Sequence, residues 1–197
     1  MRLMRQQRSH PSEGITFFNG FLNHPQQVGS VIPSSHFLKQ RIIAMADVAS
    51  AHSIVELGPG TGGTTRAILN AMQADARLLA IEINPNFLPL LNQIQDSRLS
   101  IHNGNACDLT ETILAYQLDP PDIVVSGIPF STMPPEFGQA IIDSISQALA
   151  VGGRFVAYQF RDRVETLGQL VFGPAQVEFV FRNIPPLRIY RWQKHEN

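Results

Sequence analysis

Short apolar runs alternate along the chain with segments whose apolar residues recur at helical spacing. Seven runs predict strands: Ile54–Leu57, Leu78–Ile81, Leu99–His102, Ile123–Val125, Arg154–Phe160, Val177–Arg182 and Leu187–Trp192. Helical spacing predicts helices over Phe37–Ala49, Thr64–Met72 and a stripe from Phe137 to Leu149, whereas Arg161–Pro174 is a connection of uncertain form. Strands that alternate with helices favour an α/β fold with a mostly parallel sheet.

The first strand runs directly into a glycine-rich turn, Gly58-Pro-Gly-Thr-Gly62, and a helix follows. Glycine permits positive φ and lets a ligand lie against bare main chain, and the start of a helix offers unpaired N–H groups. The strand, loop and helix therefore predict a binding site. The alternative to a binding site is a turn between strand and helix that needs glycine only for close packing.

Two acidic residues narrow the choice of ligand. Glu56 lies inside the first strand, and Glu82 follows the second strand, about 20 residues after the glycine loop, which is the spacing at which an acid meets a ribose. Two carboxylates favour a ligand with a cationic end and a ribose over a ligand with a pyrophosphate.

The loop with its two acids resembles the S-adenosylmethionine site of class I methyltransferases. The resemblance implies that Asn105 stands where relatives often have an aspartate that accepts a hydrogen bond from adenine, a bond that the amide oxygen also accepts. It implies cofactor-binding roles for Glu56, Gly58, Gly60, Thr61, Gly62, Glu82, Asn84, Asn105, Ala106, Ser126 and Gly127.

Composition limits the class of protein. The 197 residues suit one main domain, and 15 basic against 16 acidic residues count mildly against a nucleic-acid partner. The single cysteine, Cys107, excludes an internal disulfide and fits a reducing cytoplasm. No apolar run is long enough to span a membrane and no signal peptide is apparent, so we expect any membrane contact to be peripheral. We expect no metal.

The N-terminal segment, residues 1–36, is predicted to form a unit distinct from a methyltransferase domain over residues 37–197. Arg2, Arg5 and Arg8 precede the aromatic-rich stretch Gly14–His24, which has helical spacing. A basic arm before such a stretch is typical of a helix that lies on an anionic membrane surface. The alternative is a helix that caps the core or forms a lid over a closed pocket.

Four segments together resemble the bacterial phospholipid N-methyltransferases of the soluble, membrane-associating type: Val28–Ser35, Glu56–Gly62, Ser126–Phe130 and Asn183–Tyr190. That family methylates phosphatidylethanolamine toward phosphatidylcholine with S-adenosylmethionine, and close relatives methylate ornithine lipids. The resemblance implies a Rossmann-like fold with a seven-stranded, mostly parallel sheet, an antiparallel last strand and helices on both faces. It also implies a cytoplasmic enzyme attached peripherally to the inner face of the membrane.

The loop after the fourth strand bears on the substrate. The ribosomal RNA adenine dimethylases, which are related in overall pattern, have Asn-Leu-Pro-Tyr there, and its amide grips the adenine amine. Here Ser126 replaces the amide while Phe130 keeps an aromatic ring, so adenine is disfavoured. The lipid resemblance assigns Ser126 and Tyr190 to the head-group amine and Pro129, Phe130 and Arg188 to the lipid. RNA adenine N6-methylation and small-molecule methylation remain the alternatives.

Overall fold

The computed structural model describes residues 35–183 and 185–196. The predicted arm and helix within residues 1–36 therefore lie almost entirely outside the described residues. Within the described part of the chain, no helix has the length and apolar character needed to cross a bilayer.

Seven strands form one sheet. In chain order they are β1 (Ser53–Leu57), β2 (Arg77–Glu82), β3 (Leu99–Asn103), β4 (Ile123–Ser126), β5 (Arg154–Gln159), β6 (Gln176–Val180) and β7 (Leu187–Gln193). The spatial order is β3-β2-β1-β4-β5-β7-β6. The first five strands are parallel, and β7 inserts antiparallel between β5 and β6. This arrangement confirms the predicted Rossmann-like methyltransferase fold.

Among the described residues, six α-helices connect or precede the strands: α1 (His36–Ala46), α2 (Gly63–Ala71), α3 (Leu88–Leu91), α4 (Leu109–Ala115), α5 (Pro135–Ala148) and α6 (Arg163–Phe172). Ser35 caps α1, because its Oγ accepts a hydrogen bond from the Leu38 N–H at 3.1 Å. The predicted helix Phe37–Ala49 is too long, since Asp47 adopts a left-handed conformation with φ 54° that ends α1. The connection of uncertain form contains α6.

The core lies on both faces of the sheet. On one face α1 and α2 pack with aliphatic residues of the strands, including Ile54, Leu78, Val156 and Ile189. On the other face an aromatic stack joins β5 and β7 to α6, with Phe155 and Trp192 ring centroids 5.1 Å apart. A Cβ on Gly168 of α6 would overlap the Trp192 ring, so this helix lies directly against the stack.

The parallel topology sets the position of the site. The carboxyl ends of β1, β2, β4 and β5 meet along one edge of the sheet, and strand order reverses between β1 and β4. In open α/β sheets ligands bind in the crevice at such a switch point. The glycine loop follows β1 and the Ser126 loop follows β4, so both predicted loops lie at this crevice.

Candidate active site

The glycine loop turns sharply between β1 and α2. Gly58, Gly60 and Gly62 have φ values of 71°, 56° and 81°, which side chains disfavour, so the loop needs glycine as predicted. A Cβ on Gly62 would come within 2.9 Å of the Ile94 side chain, whereas one on Gly60 would meet nothing within 4 Å. The loop is therefore packed at its helix end and open at its centre, where Thr61 is exposed.

Glu82 joins the end of β2 to the glycine loop. One carboxylate oxygen accepts the Gly60 N–H at 2.9 Å, and the other accepts the Asn84 N–H at 2.8 Å. Burial raises the pKa of Glu82, and these backbone donors oppose the rise. Each oxygen keeps a second lone pair for a ligand hydroxyl.

Glu56 lies on β1 behind the loop and is fully buried. Its Oε2 accepts the Thr65 hydroxyl at 2.6 Å, while its Oε1 is buried without a hydrogen-bond partner among the described residues. Burial raises the pKa of Glu56 to about 7, against the lowering effect of Thr65 and with a further rise from Glu82. A positive charge brought nearby would favour ionisation of this carboxyl.

Three predicted cofactor residues follow β2 and β3. Asn84 and Asn105 each cap a short 3-10 turn, since their Oδ1 atoms accept the Asn86 N–H and the Cys107 N–H at 3.0 Å. Ala106 is buried behind Asn105. The Asn105 oxygen already has one donor, so a contact with adenine would use its other lone pair, and this contact stays a prediction. Burial raises the pKa of the Cys107 thiol to about 11, which disfavours a nucleophilic role.

The loop after β4 packs against the glycine loop. Ser126 is fully buried and its Oγ accepts the Ile128 N–H at 3.2 Å, while the Gly127 N–H donates to the Leu57 carbonyl at 2.9 Å. Gln159, which the sequence analysis did not single out, donates from its side chain to the Ile128 carbonyl at 2.6 Å. The Ser126 hydroxyl therefore shapes the turn, and its contact with a substrate stays a prediction.

The predicted acceptor residues on this loop differ in exposure. Pro129 is half-buried, but Phe130 is only 1% exposed. Its ring lies beside Gly138 of α5, where an added Cβ would come within 3.5 Å of it. Phe130 is thus part of the core, and stacking on a substrate would require the ring to move.

Tyr158, near the end of β5, was not among the predicted site residues. Tyr158 is half-buried, and its hydroxyl lies 3.4 Å from the Thr64 hydroxyl at the start of α2. A Cβ built on Gly127 would overlap this hydroxyl and would lie 3.0 Å from the Gly58 carbonyl. Burial, together with the nearby Glu56 and Glu82, raises the pKa of Tyr158, so the phenol stays protonated. The Tyr158 hydroxyl thus lies where the carboxyl ends of β1, β4 and β5 meet.

Tyr190 and Arg188, the candidates on β7, are not grouped with Tyr158. Tyr190 is fully buried, stacks on Trp192 with centroids 5.8 Å apart and faces the opposite side of the sheet from Tyr158. Burial raises the pKa of its hydroxyl, and the neighbouring Arg188 opposes the rise. Arg188 pairs with Gln159 in the strand register, at the crevice edge. Burial disfavours a catalytic role for Tyr190, whereas Arg188 is part-exposed beside Asp162, and its contact with a ligand stays a prediction.

Comparison with known proteins places this site in a family. A model of the family described as ribosomal RNA adenine dimethylase matches residues 23–152, which is more than half of the chain. The chain belongs to this family. The ornithine lipid N-methyltransferase of Singulisphaera acidiphila is 29% identical over 184 residues, which cover 88% of this chain and 92% of that protein. The ribosomal RNA small subunit methyltransferase A of Caulobacter vibrioides is 36% identical over 104 residues, which cover 49% and 38%.

Solved structures share the fold of this family member. The N-methyltransferase NodS from Bradyrhizobium japonicum, in complex with S-adenosyl-L-homocysteine, aligns with a TM-score of 0.66 at 15% identity and covers 90% of this chain and 100% of that chain. The 1,6-didemethyltoxoflavin-N1-methyltransferase of Burkholderia thailandensis aligns with a TM-score of 0.68 at 13% identity, covering 98% and 94%. Because the chain belongs to the family named above, the protein is an S-adenosylmethionine-dependent N-methyltransferase.

The described residues fit S-adenosylmethionine. Two buried carboxyls, one with an unpartnered oxygen, lie behind the loop and favour a ligand that carries positive charge. Open space beside Gly60 leaves main chain accessible. The glycine loop, Glu82 and Asn84 would hold the cofactor, which supplies a methyl group activated by its sulfonium. No group of three His, Cys, Asp or Glu side chains suited to a metal occurs among residues 35–183 and 185–196.

Proposed function

We propose that this enzyme transfers methyl groups to the primary amine of a membrane lipid head group, converting phosphatidylethanolamine toward phosphatidylcholine at the membrane surface. The observation that carries the proposal is the contact between Tyr158 and Gly127. It supports an acceptor that is a flexible aliphatic amine rather than a planar adenine.

The adenine-gripping amide of the family has no equivalent in this loop. Ser126 is buried and bonded within its own turn. The sequence prediction set Ser126 opposite that amide, but when Ile128-Pro-Phe130 is matched to the Leu-Pro-Tyr of the dimethylases, Gly127 stands opposite their asparagine. A side chain at Gly127 would overlap the Tyr158 hydroxyl, so an asparagine there is incompatible with the present position of Tyr158. A single hydroxyl replaces the paired donor and acceptor of an amide.

The extent of similarity supports a lipid acceptor as well. The ornithine lipid enzyme matches over nearly its whole length, whereas the ribosomal RNA enzyme matches over 49% of this chain and 38% of its own. The chain thus spans well under half of that RNA-modifying relative. Phosphatidylethanolamine and ornithine lipids both present a primary amine next to acyl chains, so the same site chemistry serves either head group.

In this proposal the residues of the chain orient the amine and exclude water. The protonated Tyr158 hydroxyl offers one donor and two lone pairs to the amine nitrogen and its hydrogens. The amine must be neutral to attack, and apolar side chains between the two loops, such as Ile128 beside Gly58, disfavour its charged form. Arg188, which is 35% exposed at the crevice edge, would pair with the lipid phosphate.

The N-terminal unit completes the proposal. Residues 1–36 would hold the enzyme on the anionic inner face of the membrane through Arg2, Arg5, Arg8 and the following aromatic residues. The same segment would act as a lid in a small-molecule methyltransferase, and binding to anionic vesicles separates these roles.

RNA adenine methylation is the second candidate, because the family model itself is that of ribosomal RNA adenine dimethylases. The near balance of 15 basic and 16 acidic residues does not favour it, since RNA-binding proteins rely on clustered positive charge.

The test is transfer of labelled methyl groups from S-adenosylmethionine to three acceptors in parallel: vesicles containing phosphatidylethanolamine, vesicles containing ornithine lipid, and ribosomal RNA. Glu82→Ala provides the control with an impaired cofactor site. We expect label in phosphatidylethanolamine. Label confined to ornithine lipid would retain the lipid class and change the head group, and label confined to RNA would overturn the proposal.

A further inference from the structure

The β6–β7 hairpin ends in two exposed phenylalanines. Phe179 is 53% exposed and Phe181 is 76% exposed, and their rings stack with centroids 6.1 Å apart and an angle of 15° between planes. We call this pair the aromatic tip. Two large apolar rings that stack on each other in solvent form a continuous patch, which single exposed apolar residues do not.

The aromatic tip lies at the same edge of the sheet as the active site. In the strand register Gln159 of β5 pairs with Arg188 of β7, and Arg188 pairs with Phe179 of β6. Because β6 runs parallel to β5, the carboxyl ends of both strands point to this edge. A membrane that contacted the aromatic tip would therefore lie along the edge of the sheet at which the crevice between β1 and β4 opens.

Arginines flank the aromatic tip. The Arg188 guanidinium lies 5.1 Å from the Phe179 ring centroid and 3.8 Å from an Asp162 carboxylate oxygen. On the other side of the hairpin, the exposed Arg182 lies 5.3 Å from the Phe37 ring centroid. Aromatic rings beside arginines suit the boundary between anionic head groups and acyl chains, where rings enter the apolar layer and guanidinium groups meet phosphates.

The hairpin is also hydrogen-bonded to the first described residue of the chain, Ser35. The Ser35 N–H donates to Asn183 Oδ1 at 3.1 Å, and Asn183 is two residues beyond Phe181. Ser35, the first described residue, therefore lies beside the turn that carries the aromatic tip.

From this juxtaposition we infer that the aromatic tip inserts into the surface of a phospholipid membrane containing anionic lipids. It forms a second membrane contact besides the N-terminal segment, and it turns the crevice edge toward the lipid head groups. This inference rests on the proposed lipid N-methyltransferase function. Stacked rings next to arginines also suit single-stranded RNA, but a net charge of −1 lacks the broad positive surface that such binding uses.

The test uses the full-length chain and Phe181→Ser, with Phe181→Trp as the conservative variant. Leu114→Ser is the matched control, since Leu114 is 70% exposed on α4. Binding is measured by co-sedimentation with vesicles of phosphatidylethanolamine and phosphatidylglycerol. We expect Phe181→Ser to weaken vesicle binding by about tenfold, Phe181→Trp to retain it and Leu114→Ser to leave it unchanged.

Methyl transfer to two forms of the acceptor distinguishes the membrane contact of the aromatic tip from the proposed methylation of lipids. Phe181→Ser should lose methyl transfer to vesicles but keep it with short-chain phosphatidylethanolamine dispersed as monomers. Vesicle binding by Phe181→Ser equal to that of the wild type would overturn the membrane contact. Weakened binding of single-stranded RNA with unchanged vesicle binding would overturn it in favour of RNA. If the wild type methylates no lipid in either form, the proposed function fails, and the binding data still decide the contact.

Discussion

Replacement of Glu56 by glutamine should remove most of the pH dependence that this residue gives to stability. The carboxyl is fully buried, one oxygen accepts from Thr65, and the other has no partner among the described residues. Glutamine reproduces the size and neutrality of the protonated acid. The variant therefore tests whether the fold holds Glu56 protonated at pH values where the unfolded chain has already ionised it.

The direction follows from the two pKa values. The unfolded chain loses this proton near pH 4.5, and the folded chain keeps it until about pH 7. Between these values the folded state binds more protons, so the contribution of Glu56 is fully present below pH 4.5 and is lost as pH rises to about 7. At about 1.4 kcal/mol per pH unit, the loss amounts to about 3 kcal/mol.

Urea unfolding at a series of pH values measures this loss. Trp192 is the single tryptophan and is only 2% exposed, so its fluorescence reports unfolding of the sheet. Glu56→Gln should match the wild type near pH 4.5 and exceed its free energy of unfolding by up to about 3 kcal/mol at about pH 8. Glu82, whose pKa is also raised, titrates in both proteins, and only its coupling to Glu56 differs between them.

Thr65→Val keeps the Glu56 carboxyl and removes the hydrogen bond that it accepts. The Thr65 hydroxyl donates to the Glu56 carboxylate and lowers its pKa, so loss of the hydroxyl should raise that pKa further. The fall in stability should then extend to higher pH than in the wild type. Parallel pH profiles for the wild type and Glu56→Gln would refute the reasoning, because they would show that Glu56 ionises alike in the folded and unfolded chains.

Three further outcomes are expected. Glu82→Ala leaves the Gly60 N–H without its acceptor and should weaken binding of S-adenosylhomocysteine by about a hundredfold in calorimetry; an unchanged titration would contradict the site. Gly62→Ala, at φ 81°, should lower stability by about 1–2 kcal/mol, whereas Gly63→Ala, in open space, should not lower it; equal melting temperatures would contradict the strain. Tyr158→Phe should lower kcat for the lipid on the order of tenfold with unchanged cofactor Kd; unaltered kcat would dismiss the hydroxyl.

The local features of the site could be predicted from the sequence. The strand before Gly58, the positive φ of three glycines and the cap at Ser35 each depend on a few neighbouring residues. The extent of α1 and the presence of α6 were harder to predict. Asp47 takes a left-handed conformation that its sequence does not demand, and the buried positions of α6 are matched to the aromatic stack beneath them.

The substrate side of the site depended on strand order. Tyr158 and Tyr190 both lie in apolar runs of similar composition, but they project to opposite faces of the sheet, one beside Thr64 and the other onto Trp192. Phe130 resembles a stacking aromatic in sequence and is buried under α5 in the structure. The spacing of residues in the sequence does not show which strands are neighbours in the sheet. The sequence alone therefore could not distinguish a site residue such as Tyr158 from core residues such as Tyr190 and Phe130.

The sequence by itself determined the α/β class, the glycine loop and the paired acids, because hydrophobic periodicity and backbone conformation act over a few residues. Only the tertiary structure decided that the Tyr158 hydroxyl fills the space beside Gly127 and that the aromatic tip lies at the crevice edge. The first contact joins β5 to the loop after β4, and the pairing of β6 with β7 sets the place of the aromatic tip. Both exist because strands distant along the chain pair in one particular register, which is a property of the whole sheet rather than of any segment.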